Sequence, residues 1–194
     1  MIEPLRIDPR TAALLVMDFQ LAILDNYIGD YEAVVANTAG LVADARAVGM
    51  RVIHVVVGFR PGYPEVHPRN RIFSAVKENG MLLADDEGSR IHPALAPILG
   101  EPVVTKHRVS AFTGTDLDML LKAGGTETLM LAGVSTAGVM LSTVRQGFDL
   151  DYRLIVASEC CDDHDKALHA MLLEKVFTHH AVVAPSAVIR AAFS

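Results

Sequence analysis

Short apolar runs with almost no polar face recur along the chain, and they are the feature that most restricts its fold. TAALLVMDF (11–19) is continuously apolar until it meets an acid. A strand of that composition must be covered on both sides, which argues for a parallel sheet between two helical layers. RVIHVVVG (51–58), PVVTKH (102–107), TLMLAGV (128–134), YRLIVASE (152–159) and AVVAPSA (181–187) read the same way, rich in the β-branched residues that suit strands.

Helical patterns lie between the runs. YEAVVANTAGLVADARAV (31–48) has apolar residues at helical spacing and stops at Gly49, a C-cap candidate. TDLDMLLKAGG (115–125) offers Thr115 as N-cap and glycines at its end, and further helices are expected near 137–149, over 165–180 and in a terminal turn at 186–193. This alternation predicts one α/β domain spanning 1–194: a three-layer αβα, doubly wound, Rossmann-like fold around a mainly parallel sheet of about six strands. A hydrophobic fraction of 51% and mean hydropathy of +0.32 fit a sheet buried on both faces. Residues 59–98 break the pattern. With Arg60, Pro61, Gly62, Pro64, Pro68, Pro93 and Pro97 they read as a long irregular segment, and such segments often carry function.

Several classes are excluded. The net charge is −6, the pI is about 5.7, and the basic residues form no run or stripe, so no nucleic-acid surface is expected. No apolar stretch approaches the roughly 20 residues a membrane-spanning helix needs. MIEPLRIDPR has acids and prolines where a signal peptide needs an apolar centre, so a cytoplasmic location is expected. The adjacent Cys160 and Cys161 are poorly placed to pair and read as free thiols. VGFRPGYPEVHP (57–68), after the second strand, has a single histidine, His67, where zinc requires three or four ligands; neither a metal nor any cofactor is expected. His54, inside an apolar strand, reads as a satisfied core histidine. The first strand leads into Gln20-Leu21-Ala22 rather than a glycine-rich turn, which removes support for a dinucleotide-binding oxidoreductase.

In open α/β sheets, ligands bind beyond the carboxyl ends of the strands. Asp18 ends the first run, Lys106 the third, and Gly133-Val134-Ser135-Thr136 the fourth. A carboxylate beside an ammonium in a semi-buried site can accept or donate a proton; it can equally be a structural ion pair. The 133–139 turn presents backbone N–H groups at a helix N-terminus, suited to a carboxylate or developing oxyanion. It also reads as an ordinary strand-to-helix turn capped by Ser135 or Thr136.

Taken together, LLVMDFQ (14–20), FRPGYPEVHPRN (59–70), VVTKHRVSAFTGTDLDMLL (103–121), LAGVSTAGVMLSTVRQGFDLDYRL (131–154) and VASECCDD (156–163) resemble the isochorismatase-like, or cysteine hydrolase, superfamily over nearly the whole chain. The resemblance implies that Asp18 is the catalytic aspartate and Lys106 the catalytic lysine. It further implies that the Val134–Ser135 bond is a cis peptide, and that the N–H groups of Ser135 and Val139 form an oxyanion hole. Homo-oligomerisation, as a dimer or tetramer, is also implied. The family's cysteine nucleophile aligns with Val139, so thiolate chemistry is not available there. Isochorismatases also lack that cysteine and hydrolyse a vinyl ether with a proton from the aspartate. No histidine is placed by sequence to activate Ser135 or Thr136 in its stead. Candidate substrate contacts are Phe19, Gln20, Arg60, Tyr63 and Phe112, with Arg60 suited to a carboxylate and Tyr63 to stacking or hydrogen bonding. The expected function is a cysteine-independent small-molecule hydrolase. The competing reading is a binding protein that kept the pocket and lost the reaction.

Overall fold

A computed structural model describes residues 5–193. The strands are β1 (Ala12–Met17), β2 (Arg51–Val57), β3 (Val103–Lys106), β4 (Thr128–Val134), β5 (Arg153–Asp162) and β6 (Val182–Ala184). They form one parallel sheet in the order β3-β2-β1-β4-β5-β6. The order reverses between β1 and β4, which in a doubly wound sheet opens a crevice at the carboxyl edge.

The expected cover on both faces is present. Side chains alternate across a strand, so Leu14 and Val16 of β1 join one apolar cluster while Ala13, Leu15 and Met17 join the other. Helices α2 (Glu32–Ala47) and α7 (Ser186–Ala191) contribute to the first cluster. Helices α4 (Leu117–Ala123) and α5 (Leu141–Asp149) contribute to the second. Every residue of β1 is buried, which is why its sequence shows no polar alternation.

Two departures from the sequence-based expectation shape the crevice. Residues 59–98 are not wholly irregular: they contain helix α3 (Arg71–Glu78), capped by Asn70, whose side chain accepts a hydrogen bond from the Phe73 N–H. Chain following β1 also turns helical, as α1 (Leu21–Ile23) continued by a π-helical turn at Leu24–Ile28. In addition, β5 runs three residues beyond the expected end, to Asp162. Its register with β4 jumps between the pairs Leu131–Val156 and Gly133–Cys161. Strand alternation puts the neighbouring thiols on opposite faces of the sheet, with Cys160 in one apolar cluster and Cys161 in the other.

His54 is fully buried, with Nε2 3.0 Å from Glu101, whose carboxylate also binds Arg46 at 2.8 Å. It is the middle residue of β2, and its Nδ1 is buried without a hydrogen-bond partner, so the expected satisfied core histidine is satisfied at one ring nitrogen only. No helix among the described residues is long and apolar enough to cross a membrane.

Candidate active site

The site begins with a backbone distortion. Asp18 follows β1 directly and has φ 63°, a left-handed conformation few non-glycine residues adopt and which Asp tolerates better than most. Its N–H still bonds the Val55 carbonyl of β2 at 2.9 Å, so the sheet holds the residue in place. The side chain meets Lys106, at the end of β3: Nζ lies 2.8 Å from Oδ2. Lys106 spans the end of β2 to reach it and also donates to the Arg108 carbonyl at 3.2 Å. Both residues are buried, at 5% and 1% exposure. Asp18 Oδ1 is buried too and has no hydrogen-bond partner. Burial pushes the Asp18 carboxyl above the usual carboxylate range, more than the Lys106 charge pulls it down.

The third component is the turn after β4. Val134–Ser135 is a cis peptide bond. Gly133 sits in a crowded place: a Cβ there would lie 3.1 Å from Met17 Cβ, the Met17 carbonyl oxygen and Met140 Sδ, so those neighbours would have to give way slightly. A π-helical turn, Thr136–Met140, leads from the cis bond into α5. Neither Ser135 nor Thr136 caps it. Asp163, beyond β5, accepts a hydrogen bond from the Ala137 N–H at 2.8 Å. Thr136 Oγ1 shares a hydrogen bond with His169 Nδ1 of α6 (Lys166–Met171) at 2.8 Å. Thus a histidine does stand beside Thr136, contrary to the sequence reading, but the threonine is fully buried and does not line the crevice. The pair fixes the turn. The longer β5 accounts for both contacts, because it carries Asp163 and α6 up to the carboxyl edge.

Asp18, Lys106, Val134, Ser135 and Val139 line one cavity of about 270 Å³, near the lower end of the roughly 300–1,000 Å³ of small-molecule sites. Val57, Val109 and Gly138 add to the wall, and the rest comes from residues the sequence reading did not single out. Ile23 and Tyr27 come from the helical chain after β1, Ile72, Phe73 and Val76 from α3, and Leu82 from the strand-like stretch that bridges Phe59. The signal for α3 was present in Asn70 followed by apolar residues at 72, 73 and 76, one capped amphipathic face hidden among prolines. A second depression of about 400 Å³ lies around Lys122, Glu127, Tyr152 and Arg153, away from these strand ends, and holds none of the candidate groups.

The five candidate substrate contacts are placed elsewhere. Phe19 is buried in the hydrophobic core. Gln20 is a clamp: its amide donates to the carbonyls of Val57 and Ser89, both at 2.8 Å, and its oxygen accepts from the Val57 N–H at 2.7 Å. Arg60 is 74% exposed, with its guanidinium 3.3 Å from Glu65. Tyr63 packs on Phe59 and donates to the Met81 carbonyl. Phe112 stacks on Tyr152 in the other apolar layer. Strand ends locate a catalytic edge, but the direction of a side chain two residues further on depends on the loop. Cys160 and Cys161 also lie off the cavity. Burial pushes the Cys160 thiol up to about 11 and the Cys161 thiol higher still, the opposite of thiolate activation. Among the described residues no group of three or more His, Cys, Asp or Glu is placed to hold a metal.

Comparison with known proteins follows the same lines. The isochorismatase domain model matches residues 12–188. Ureidoacrylate amidohydrolase RutB of Methylobacterium radiotolerans is 32% identical over 212 aligned positions, covering 98% of this chain and 82% of that protein. The solved structure of an isochorismatase family protein from Burkholderia thailandensis superposes with a TM-score of 0.83 at 29% identity, covering 98% of both chains. A cysteine hydrolase from Pseudomonas syringae pv. phaseolicola shares the fold with a TM-score of 0.89 at 22% identity, over 99% of this chain and 98% of that one. With its domain match running from the first residue of β1 into α7, the chain belongs to the isochorismatase family.

Proposed function

We propose that the protein is a hydrolase of small molecules that works without a cysteine nucleophile, using Asp18 as its proton-transfer group. The observation that carries this reading is the asymmetry of the Asp18 carboxyl. One oxygen is held 2.8 Å from the Lys106 ammonium, while the other is buried, unpartnered and part of a residue that lines the cavity. A buried polar atom without a partner is costly unless a ligand or water completes it. Burial also favours the protonated carboxyl, the form a general acid requires.

Val139 stands where the family's thiol acts, and its isopropyl group forms part of the cavity wall. The amide chemistry in the name of the RutB relative therefore lacks its nucleophile in this chain. A vinyl ether needs none. Asp18 gives its proton to the vinylic carbon, and water adds to the resulting oxocarbenium carbon and returns a proton to the carboxylate. The hemiketal then collapses to a carbonyl compound and an alcohol, so that one water is consumed overall. Lys106 orients the carboxyl throughout, and the Ser135 and Val139 N–H groups face the substrate oxygen.

A panel of vinyl ethers, amides and ureas, assayed with the wild type, Asp18→Asn and Val139→Cys, tests this. Hydrolysis of vinyl ethers by the wild type and its loss in Asp18→Asn support the proposal. Amide hydrolysis appearing only in Val139→Cys supports the placement of Val139. If the wild type and Asp18→Asn are equally inert across the panel, the reaction is absent and a binding role takes its place.

A further inference from the structure

We infer that the substrate is an uncharged molecule whose hydrocarbon part fills the cavity, with a single polar bond at the Asp18 end. The inference rests on the reading of this cavity as the reaction site and adds the class of molecule it takes. The cavity has few polar side chains. Asp18, Lys106 and Ser135 gather at the strand ends. Most of the remaining lining is apolar, with Ile23, Phe73, Val76, Leu82 and Val109 beside the half-exposed Tyr27.

The cation inventory decides the charge of the occupant. Among the described residues Lys106 is the only Lys or Arg on the cavity wall. Its ammonium already lies 2.8 Å from Asp18 and donates to the Arg108 carbonyl. Arg60, the residue the sequence suggested for a carboxylate, faces solvent beside Glu65. Arg108 turns its guanidinium to the carbonyls of His107 and Glu65. A carboxylate deeper in the cavity would be removed from water among valines and a phenylalanine without a counter-charge, and uncompensated burial of an ion is heavily penalised. A hydrocarbon group there releases water from apolar surface instead. At about 270 Å³ the space suits one ring-sized apolar group.

The test compares one anionic vinyl ether with two neutral ones. The probes are para-vinyloxybenzoate, its methyl ester and cyclohexyl vinyl ether. Affinity is measured by calorimetry on the wild type with the saturated ethyl-ether counterpart of each probe, which cannot be hydrolysed, so that Lys106 keeps its Asp18 partner, and kcat/KM with the vinyl ethers themselves. The inference expects the ester and cyclohexyl ether to bind, and the carboxylate to bind at least about a hundredfold more weakly. Equal or tighter binding of the carboxylate overturns it, as does failure of both neutral probes to bind at millimolar concentration. Binding is read apart from turnover. Neutral-selective binding without any hydrolysis removes the proposed reaction and leaves the ligand class standing, whereas hydrolysis that favours the carboxylate does the reverse. Ile72→Arg supplies a cation at the cavity mouth from a position 57% exposed, where a long side chain fits. It should recover at least tenfold of the lost carboxylate affinity. If the carboxylate still fails to bind this variant while the neutral probes bind as before, missing counter-charge is not what excludes anions.

Discussion

The two walls of the cavity are built in opposite ways. The floor is the carboxyl edge of a parallel sheet, where Asp18, Lys106 and the start of the 133–139 turn are held by the strand ladder around the fully buried β1. The roof is the 59–98 segment, which crosses the edge with one two-turn helix, several turns and left-handed backbone at Tyr63 and Leu82. The floor carries charge and the roof carries apolar surface. A rigid edge suits groups that must meet a bond in fixed geometry, while a loop can change its lining without disturbing the sheet. On the proposed reading, chemistry belongs to the floor and choice of substrate to the roof. The first experiment is then to remove chemistry and leave choice intact. Asp18→Asn is nearly isosteric, so kcat should fall by about 10²–10⁴, the usual contribution of a proton-transfer group, with KM close to wild type, while the melting temperature drops because the buried Lys106 ammonium loses its counter-charge. A fall in kcat of less than about tenfold would place the reaction elsewhere.

Lys106 tests the floor from the other side. Lys106→Met strands a buried carboxyl, and breaking such a pair costs about 3–5 kcal/mol of stability. It also predicts a shift in the pH profile. Asp18 acts as an acid only while protonated, so kcat/KM should fall as pH rises through its carboxyl pKa, which burial has raised. The Lys106 charge opposes that rise. Removing it should therefore move the falling limb to higher pH. A limb that stays in place, or moves toward acid, would show that another group titrates.

Gln20 is where floor and roof are joined. It sits two residues beyond Asp18, and its amide holds Val57 of β2 and Ser89 of the long segment together. Gln20→Ala leaves these buried backbone groups short of partners at about 1–3 kcal/mol each. If the walls have separate duties, KM should rise severalfold and the unfolding midpoint should drop, with kcat falling far less than in Asp18→Asn. An equal fall in kcat would mean that the roof also positions the reacting bond.

The same division explains what could be read from the sequence. β1 was legible because burial on both faces leaves a continuous apolar run, and Asp18 was legible as the acid that ends it. Lys106 and the 133–139 turn followed from the rule that ligands gather at strand ends. The roof obeys no such periodicity. Arg60 and Tyr63 looked like contacts because they are a cation and a phenol in a loop beside the site. One is paired with Glu65 and the other bonded to the Met81 carbonyl, outcomes set by turns that single residues do not announce. His169 was hidden for a different reason. It lies 33 residues after Thr136 and meets it only because β5 bulges and runs on to Asp162. Helix α3 alone was within reach, since Asn70 and the spacing of Ile72, Phe73 and Val76 form a capped amphipathic turn.

That helix gives the smallest expected effect and the sharpest separation of the two walls. Asn70→Ala removes the side-chain acceptor for the Phe73 N–H, worth about 1 kcal/mol for a helix cap. In a chain of this size that corresponds to a drop of about 2–4 °C in Tm. The cap touches neither Asp18 nor Lys106, so the falling limb of the pH profile should stay where the wild type has it. Loosening α3 should instead blur the wall that Phe73 and Val76 present, raising KM for the cyclohexyl ether about two- to fivefold at constant kcat. A change in kcat without a change in KM would reverse the assignment, because it would make the helix part of the chemistry rather than part of the choice.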